Sequence, residues 1–326
     1  MTLAALLLGI AVILAASGAP GLIQPPAPLS RDTYERPGQM VVLPDHRRLN
    51  IRCLGHGSPT VILESGFGAS SQGWGTTQPR IATQTRTCAY DRAGYGFSDP
   101  GPMPRDGAAI ARDLDYGLKA AGISGPFVIV GHSAGGLYAR LFAARRPKDV
   151  VGLVFVDSSV EHQVQRLEAA FGPGAGSLDG LERRALTCLR ATSARKTAVD
   201  EPELLACAPP STDAHTHEIN LRPATWQTRL SELESLFTST SDEVDRVGAL
   251  LKDVPAIVLT AGKADGAAAG ADDPGAVVWR QFHHELAAGF LHGDQRVVKS
   301  SHLMMNDRPE VVAGAALELV QAARKR

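Results

Sequence analysis

The stretch that most limits what this chain can fold into is Phe127-Val128-Ile129-Val130-Gly131-His132-Ser133-Ala134-Gly135-Gly136. An apolar run suited to a buried strand ends abruptly in Gly-x-Ser-x-Gly, and a helical pattern follows from Leu137 to Arg145. Glycines two residues either side of Ser133 let neighbouring backbone approach without a Cβ clash, so the chain can turn sharply from strand to helix. Such a turn exposes the serine hydroxyl and aims the free N–H groups of the new helix at whatever binds there. Gly-x-Ser-x-Gly alone is a weak pattern, and a glycine-rich turn whose serine merely caps the helix is the plain alternative. The strand before it and the helix after it favour Ser133 as a nucleophile.

The same rhythm recurs along the chain. Thr60–Glu64, Thr85–Tyr90, Val150–Val156, Val254–Thr260 and Gln295–Lys299 read as strands, and Ile110–Ala121 has helical periodicity. Apolar strands alternating with helices predict an α/β fold, a mostly parallel, doubly wound sheet covered on both faces. Gln39–Leu43 and Arg48–Leu54 are spaced as a hairpin around a Pro-Asp turn. Residues 159–253 break the pattern, with helical stretches at Leu178–Ala191 and Ala224–Leu236 and no convincing strand. That is far too long for an ordinary connection, and it reads as a helical cap inserted into the sheet domain. The expected division is a leader and linker over residues 1–30, a core over 31–158 and 254–326, and a cap over 159–253. Ala264–Gly275, rich in Ala, Gly and Asp, reads as a loop.

Composition narrows the class. The chain has 326 residues, 44% apolar and 21% charged, which is globular, and its net charge of −1 gives nucleic acid no basic surface to bind. Nothing before Arg31 is charged, and Leu3–Ala16 is nearly pure Leu, Ala, Ile and Val. The run is shorter than the ~18 residues of a spanning helix and is followed by small residues, so it reads as a signal-peptide core, implying export to a periplasmic or extracellular compartment. The lack of Lys or Arg at its start counts against cleavage and leaves a retained N-terminal membrane anchor as the alternative. Four cysteines, Cys53, Cys88, Cys188 and Cys207, fit an exported protein with two disulfides, and three pairings are open.

Three segments together resemble the α/β-hydrolases: the Gly131–Gly136 turn, Leu63-Glu64-Ser65-Gly66-Phe67-Gly68, and Tyr90-Asp91-Arg92-Ala93-Gly94-Tyr95-Gly96-Phe97-Ser98-Asp99. The last is similar to a block found in the capped esterase and proline-iminopeptidase-like branches. The resemblance runs from Gln39 to the C-terminus apart from the cap, and it implies a serine–acid–histidine order along the chain. Serine needs a base within reach and a group that orients the base. Of ten histidines only His302 follows the last strand, which makes it the expected base. Ser301 stands where relatives often have glycine, and Ser65 where they commonly have histidine.

Two carboxylates compete for the acid. Asp265, in Gly262-Lys263-Ala264-Asp265, has the position most relatives use, but its loop is a poor platform for fixing a ring. Asp157, at the end of the preceding strand, has a rigid base and is slightly preferred; a turn aspartate is its bland reading. The resemblance also implies that the oxyanion would be held by the Phe67 and Ala134 N–H groups. It would set the second strand beside the fourth, pairing Cys53 with Cys88 and leaving Cys188 and Cys207 to close a loop in the cap. Asp91 and Arg92 read as scaffold, and His132 as structural. His283-His284-Glu285 and His215-Thr216-His217-Glu218 read as solvated helix faces, since neither has His-Glu-x-x-His spacing, and no metal is expected.

The implied activity is hydrolysis of a small ester or related acyl substrate without a cofactor. Aminopeptidase, lactonase or cofactor-free haloperoxidase chemistry on the same residues, or a non-catalytic ligand-binding role, are the alternatives. Epoxide hydrolase and dehalogenase chemistry are disfavoured because their nucleophile is aspartate.

Overall fold

A computed structural model describes residues 26–194, 202–209, 213–262 and 273–326. The leader through Gln24, Asp265 and most of the Ala264–Gly275 loop lie outside the described residues. The strands are β1 (Gln39–Val42), β2 (Arg48–Leu54), β3 (Thr60–Glu64), β4 (Thr87–Tyr90), β5 (Phe127–His132), β6 (Val150–Val156), β7 (Ala256–Gly262) and β8 (Gly293–Lys299). They form one sheet in the order β1-β2-β4-β3-β5-β6-β7-β8. All neighbours from β4 to β8 pair in parallel; β1 with β2 and β2 with β4 are antiparallel.

Of the helices, α1 (Gln78–Ala82) follows β3, α2 (Gly107–Ala120) follows β4 and α3 (Gly135–Arg145) follows β5. Six lie between β6 and β7: α4 (Gln163–Phe171), α5 (Asp179–Ser193), α6 (Pro202–Cys207), α7 (Ala214–Asn220), α8 (Pro223–Leu236) and α9 (Ser239–Val247). They make up the inserted cap. Then come α10 (Pro274–Ala288), α11 (Met304–Asp307) and α12 (Pro309–Arg324).

The central strands are apolar throughout because each covers two cores. Phe127 and Ile129 of β5, Leu153 and Phe155 of β6, and Val258 of β7 face one, with α2, α3, α10 and part of the cap. Val128, Val130, Val154, Val156 and Leu259 face the other, beneath α12 and Trp74. Cys53 pairs opposite Cys88 across β2 and β4 and is bonded to it; Cys188 of α5 is bonded to Cys207 of α6.

The topology also decides where a ligand can sit. From β3 the chain goes to β4 on one side and returns to β5 on the other, so the connections diverge and leave a crevice at the carboxyl ends of β3 and β5. Ser65 to Phe67 and Ser133 occupy those two ends.

Candidate active site

Ser133 sits between β5 and α3 with φ of +52°, a left-handed backbone that a non-glycine residue adopts at a cost of about 1–3 kcal/mol. Hydrogen bonds hold it there: its N–H donates to Val156 O at 3.1 Å, and its carbonyl accepts from Gly136 N and Ser159 N, each at 3.0 Å. The flanking glycines are required by contact. A Cβ on Gly131 would stand 2.6 Å from Gly135 O, and one on Gly135 would stand 2.5 Å from Glu64 O. The turn therefore packs directly onto the end of β3.

His302 lies in the loop between β8 and α11, with Nδ1 2.7 Å from Asp157 Oδ2. Asp157 directly follows β6, also left-handed at φ +41° and 4% exposed. Its other oxygen accepts from Ala261 N at 2.9 Å and from the Trp279 indole at 2.8 Å. Burial pushes the Asp157 carboxyl up, but the bonds from His302, Trp279 and Ala261 outweigh it and hold the group below the ordinary carboxylate range. An ionised Asp157 is an acceptor only, so His302 Nδ1 carries the hydrogen and Nε2 is left with a lone pair. Trp279, on α10, had no signal in the sequence.

His132 is structural, with a more specific task than its place beside Ser133 suggests. Its Nε2 donates to the backbone carbonyl of His302 at 2.9 Å, and the two rings lie 4.7 Å apart. Burial, with the nearby His302, lowers its pKa to about 4, so the ring is neutral and its buried Nδ1 has no partner. In the loop that carries His302, Asp307 accepts from Ser301 N at 2.9 Å, and Ser301 Oγ accepts from Leu303 N at 3.1 Å. Serine in place of glycine thus adds loop bonds.

Phe67 and Ala134 flank Ser133, and among the described residues neither backbone N–H has a protein acceptor. Together with Ser133, His302 and Trp279 they line a cavity of about 370 Å³, to which the cap contributes leucines 178, 181, 233 and 236 and Phe237. Most of its lining is apolar, and Ser133, Ser159, Gln163 and His302 are its polar side chains besides the Trp279 indole. No hydrogen bond joins the Ser133 and His302 side chains; such bonds are often long in a free enzyme and tighten around substrate.

The loop that carries Phe67 is held from beneath by Arg92. Its guanidinium donates to Ser65 O at 2.6 Å and Gly66 O at 2.9 Å, and pairs with Glu64 at 3.0 Å and cap residue Glu232 at 2.9 Å. Tyr138 also donates to Glu232, at 3.0 Å, and Tyr90 donates to Glu64. All of these side chains are buried. Burial drives Glu64 up to about 7 against the pull of Arg92 and Tyr90, whereas the two carboxylates keep Arg92 firmly charged despite its burial. Ser65 adds to the support, accepting from the Trp74 indole and donating to Ser70 O, both at 3.0 Å.

One expectation is corrected. His283 does not lie on a solvated face; it is fully buried, with Nδ1 2.9 Å from Thr260 Oγ1 and Nε2 2.8 Å from Ser158 O. It links β7 to the residue that follows Asp157. His215 is half-buried and stacks on Phe97 at 3.6 Å. Among the described residues no cluster of His, Cys, Asp or Glu is arranged to hold a metal ion.

The alpha/beta hydrolase family profile matches residues 54–316. The chain belongs to that family. An AB hydrolase superfamily protein of Gibberella zeae is 34% identical over 113 residues, 33% of this chain and 35% of that protein. An uncharacterized protein of Schizosaccharomyces pombe is 38% identical over 106 residues, 32% of this chain and 19% of that one. The chain therefore spans less than half the length of these curated relatives. Among solved structures, an esterase from Thermogutta terrifontis has a TM-score of 0.59 at 19% identity, covering 87% of this chain and 98% of that one. An enol-lactonase from Burkholderia xenovorans LB400 has a TM-score of 0.59 at 16% identity, covering 87% and 100%. At such identities the likeness concerns the fold. The family shares a scaffold that hosts many chemistries, so the reaction must be argued from the site.

Proposed function

We propose that this alpha/beta hydrolase is a serine hydrolase that cleaves carboxylic esters through an acyl-enzyme, with Ser133, His302 and Asp157 as its triad. The observation that carries the reading is the 2.7 Å bond from His302 Nδ1 to Asp157, which frees Nε2 to accept a proton in the cavity that Ser133 lines. His302 Nε2 takes the Ser133 hydroxyl proton as Oγ bonds to the ester carbon and the carbonyl electrons move onto oxygen. The Phe67 and Ala134 N–H groups stabilise that oxyanion; one such donor is worth about 3–4 kcal/mol in a comparable site. Collapse breaks the bond to the alcohol, which leaves with the proton from His302. Water, activated in the same way, then releases the acid and restores Ser133.

An apolar cavity suits an ester with a hydrocarbon or aromatic part. Two disulfides suit an oxidising compartment, and we propose that the protein acts outside the cytosol. No helix of the described residues is long and apolar enough to cross a membrane.

The test is labelling with a fluorophosphonate probe followed by peptide mapping, alongside Ser133→Ala and His302→Ala. Label on Ser133 that disappears in both variants is the expected result. A folded protein that takes no label and turns over no activated ester would sink the proposal in favour of a binding role.

A further inference from the structure

The cavity at Ser133 has a second cavity beside it. Phe67 and Leu181 also line a second cavity of about 370 Å³ between core and cap, together with Arg184, Ala185, Trp226 and Arg229. Among the described residues no carboxylate lines this space. It therefore adjoins the Ser133 cavity at Phe67 and Leu181, and its charged lining residues are cationic.

Arg229 is the unusual group. It lies on α8, mostly buried, with its guanidinium 4.6 Å from the Trp226 ring and 5.6 Å from the Tyr95 ring. One terminal nitrogen donates to Asn220 Oδ1 at 3.0 Å, while the buried Nε has no partner. It makes no ion pair among the described residues, and Glu232, one turn along α8, is engaged by Arg92 and Tyr138. Burial lowers the Arg229 pKa against the influence of Tyr95 and Glu232, and Arg184 lowers it further. Arg184 is exposed, and among the described residues its only hydrogen bond is to Ala206 O at 3.4 Å. A mostly buried guanidinium with no ion pair among the described residues is costly, and here it lies against two aromatic rings with a second arginine lining the same cavity.

We infer that this second cavity is an anion subsite, and that the preferred substrate is an ester with an apolar body and a remote carboxylate, bound by Arg229 and Arg184. The inference rests on the serine hydrolase reading for the reacting end of the substrate. Leucines 178, 181, 233 and 236 would pack the chain, and the guanidinium of Arg229 would receive the carboxylate, which it suits by its planar donor geometry.

The test compares p-nitrophenyl hydrogen suberate with p-nitrophenyl octanoate, esters of equal chain length that differ in the terminal carboxylate. The readout is the ratio of their kcat/KM values in wild type, Arg229→Gln, Arg229→Lys and Arg184→Gln. The ratio should fall about tenfold or more in Arg229→Gln, mainly through KM, and partly recover in Arg229→Lys. Arg184→Gln, changed on an exposed side chain, should lower it less, so the question survives if Arg229→Gln does not fold. An unchanged ratio in both glutamine variants would overturn the subsite. Failure of wild type to take fluorophosphonate or hydrolyse octanoate would instead count against the hydrolase reading. The subsite would then be read by calorimetric titration of suberate. Binding that weakens in the arginine variants supports it; absence of binding, or equal binding in all, overturns it.

Discussion

Asp157 receives hydrogen bonds from a backbone amide, an indole and His302, which fix its position and its charge. Asp157→Asn keeps the shape but can present an N–H to His302 Nδ1, which favours the wrong tautomer. We expect kcat for an activated ester to fall by about two to four orders of magnitude with little change in KM. Stopped-flow kinetics on the purified variant decides this, and near-normal turnover would return attention to Asp265. The linkage is simple in sign. A carboxyl held below its ordinary range stabilises the fold above the unfolded pKa of about 4 and loses that contribution as pH falls through its folded value.

His132 acts in the same direction, over a higher pH window. Its folded pKa near 4 lies below the ordinary value of 6.5, so the unfolded chain binds more protons between them and stability rises with pH across that window. The contribution is complete above 6.5 and is lost toward 4, amounting to as much as about 3 kcal/mol. Glu64 opposes it, because a carboxyl raised to about 7 removes stability as pH climbs from 4.5. The difference between wild type and His132→Gln therefore isolates the histidine. Urea unfolding at pH 7 and at pH 4.5 should show a smaller acid penalty in the variant, and parallel curves would refute the assignment.

At the scale of elements, the disulfides act on different parts of the fold. Cys53–Cys88 ties the antiparallel edge to the parallel sheet within a matched register, so strand pairing already favours what the bond enforces. Cys188–Cys207 joins α5 to the six-residue helix α6, which is too short to persist without a tether. The loop of 19 residues corresponds to about 3 kcal/mol of denatured-state entropy. Replacing Cys188 and Cys207 by serine should speed hydrogen exchange and proteolysis in α5 and α6 while β5 and β6 remain protected. Uniform loss of protection across the sheet would show that the cap does not loosen by itself.

Across the whole molecule, one buried charge cluster joins three parts that the chain order keeps apart. Glu64 ends β3, Arg92 follows β4 and Glu232 comes from the cap, and the Arg92 guanidinium touches the carbonyls beneath Phe67. Arg92→Gln would leave two buried carboxylates without their cation, which costs about 3–5 kcal/mol. The Phe67 amide should also lose its alignment, lowering kcat more than it raises KM. Arg92→Lys should restore more of the stability than of kcat, because a point charge cannot bond both carbonyls and both carboxylates. Denaturant midpoints and ester kinetics on the two variants test this; equal recovery of both quantities would make Arg92 a purely structural residue.

Local chemistry determined a good deal before folding. The alternation of apolar runs with helical patterns specified a covered parallel sheet, since neighbours in sequence decide which backbone periodicities bury a face. The Gly131 and Gly135 contacts show why the turn at Ser133 was legible: small residues are needed where backbone meets backbone. Tertiary structure alone decided which groups face one another. His302 meets Asp157 across 145 residues, His132 reaches the His302 carbonyl across 170, and Arg92 meets Glu232 across 140. No spacing rule reaches that far, and Trp279, His283 and Arg229 on their own look like ordinary helix residues. Their chemistry arises only when the sheet brings its strand ends together and the cap closes above them.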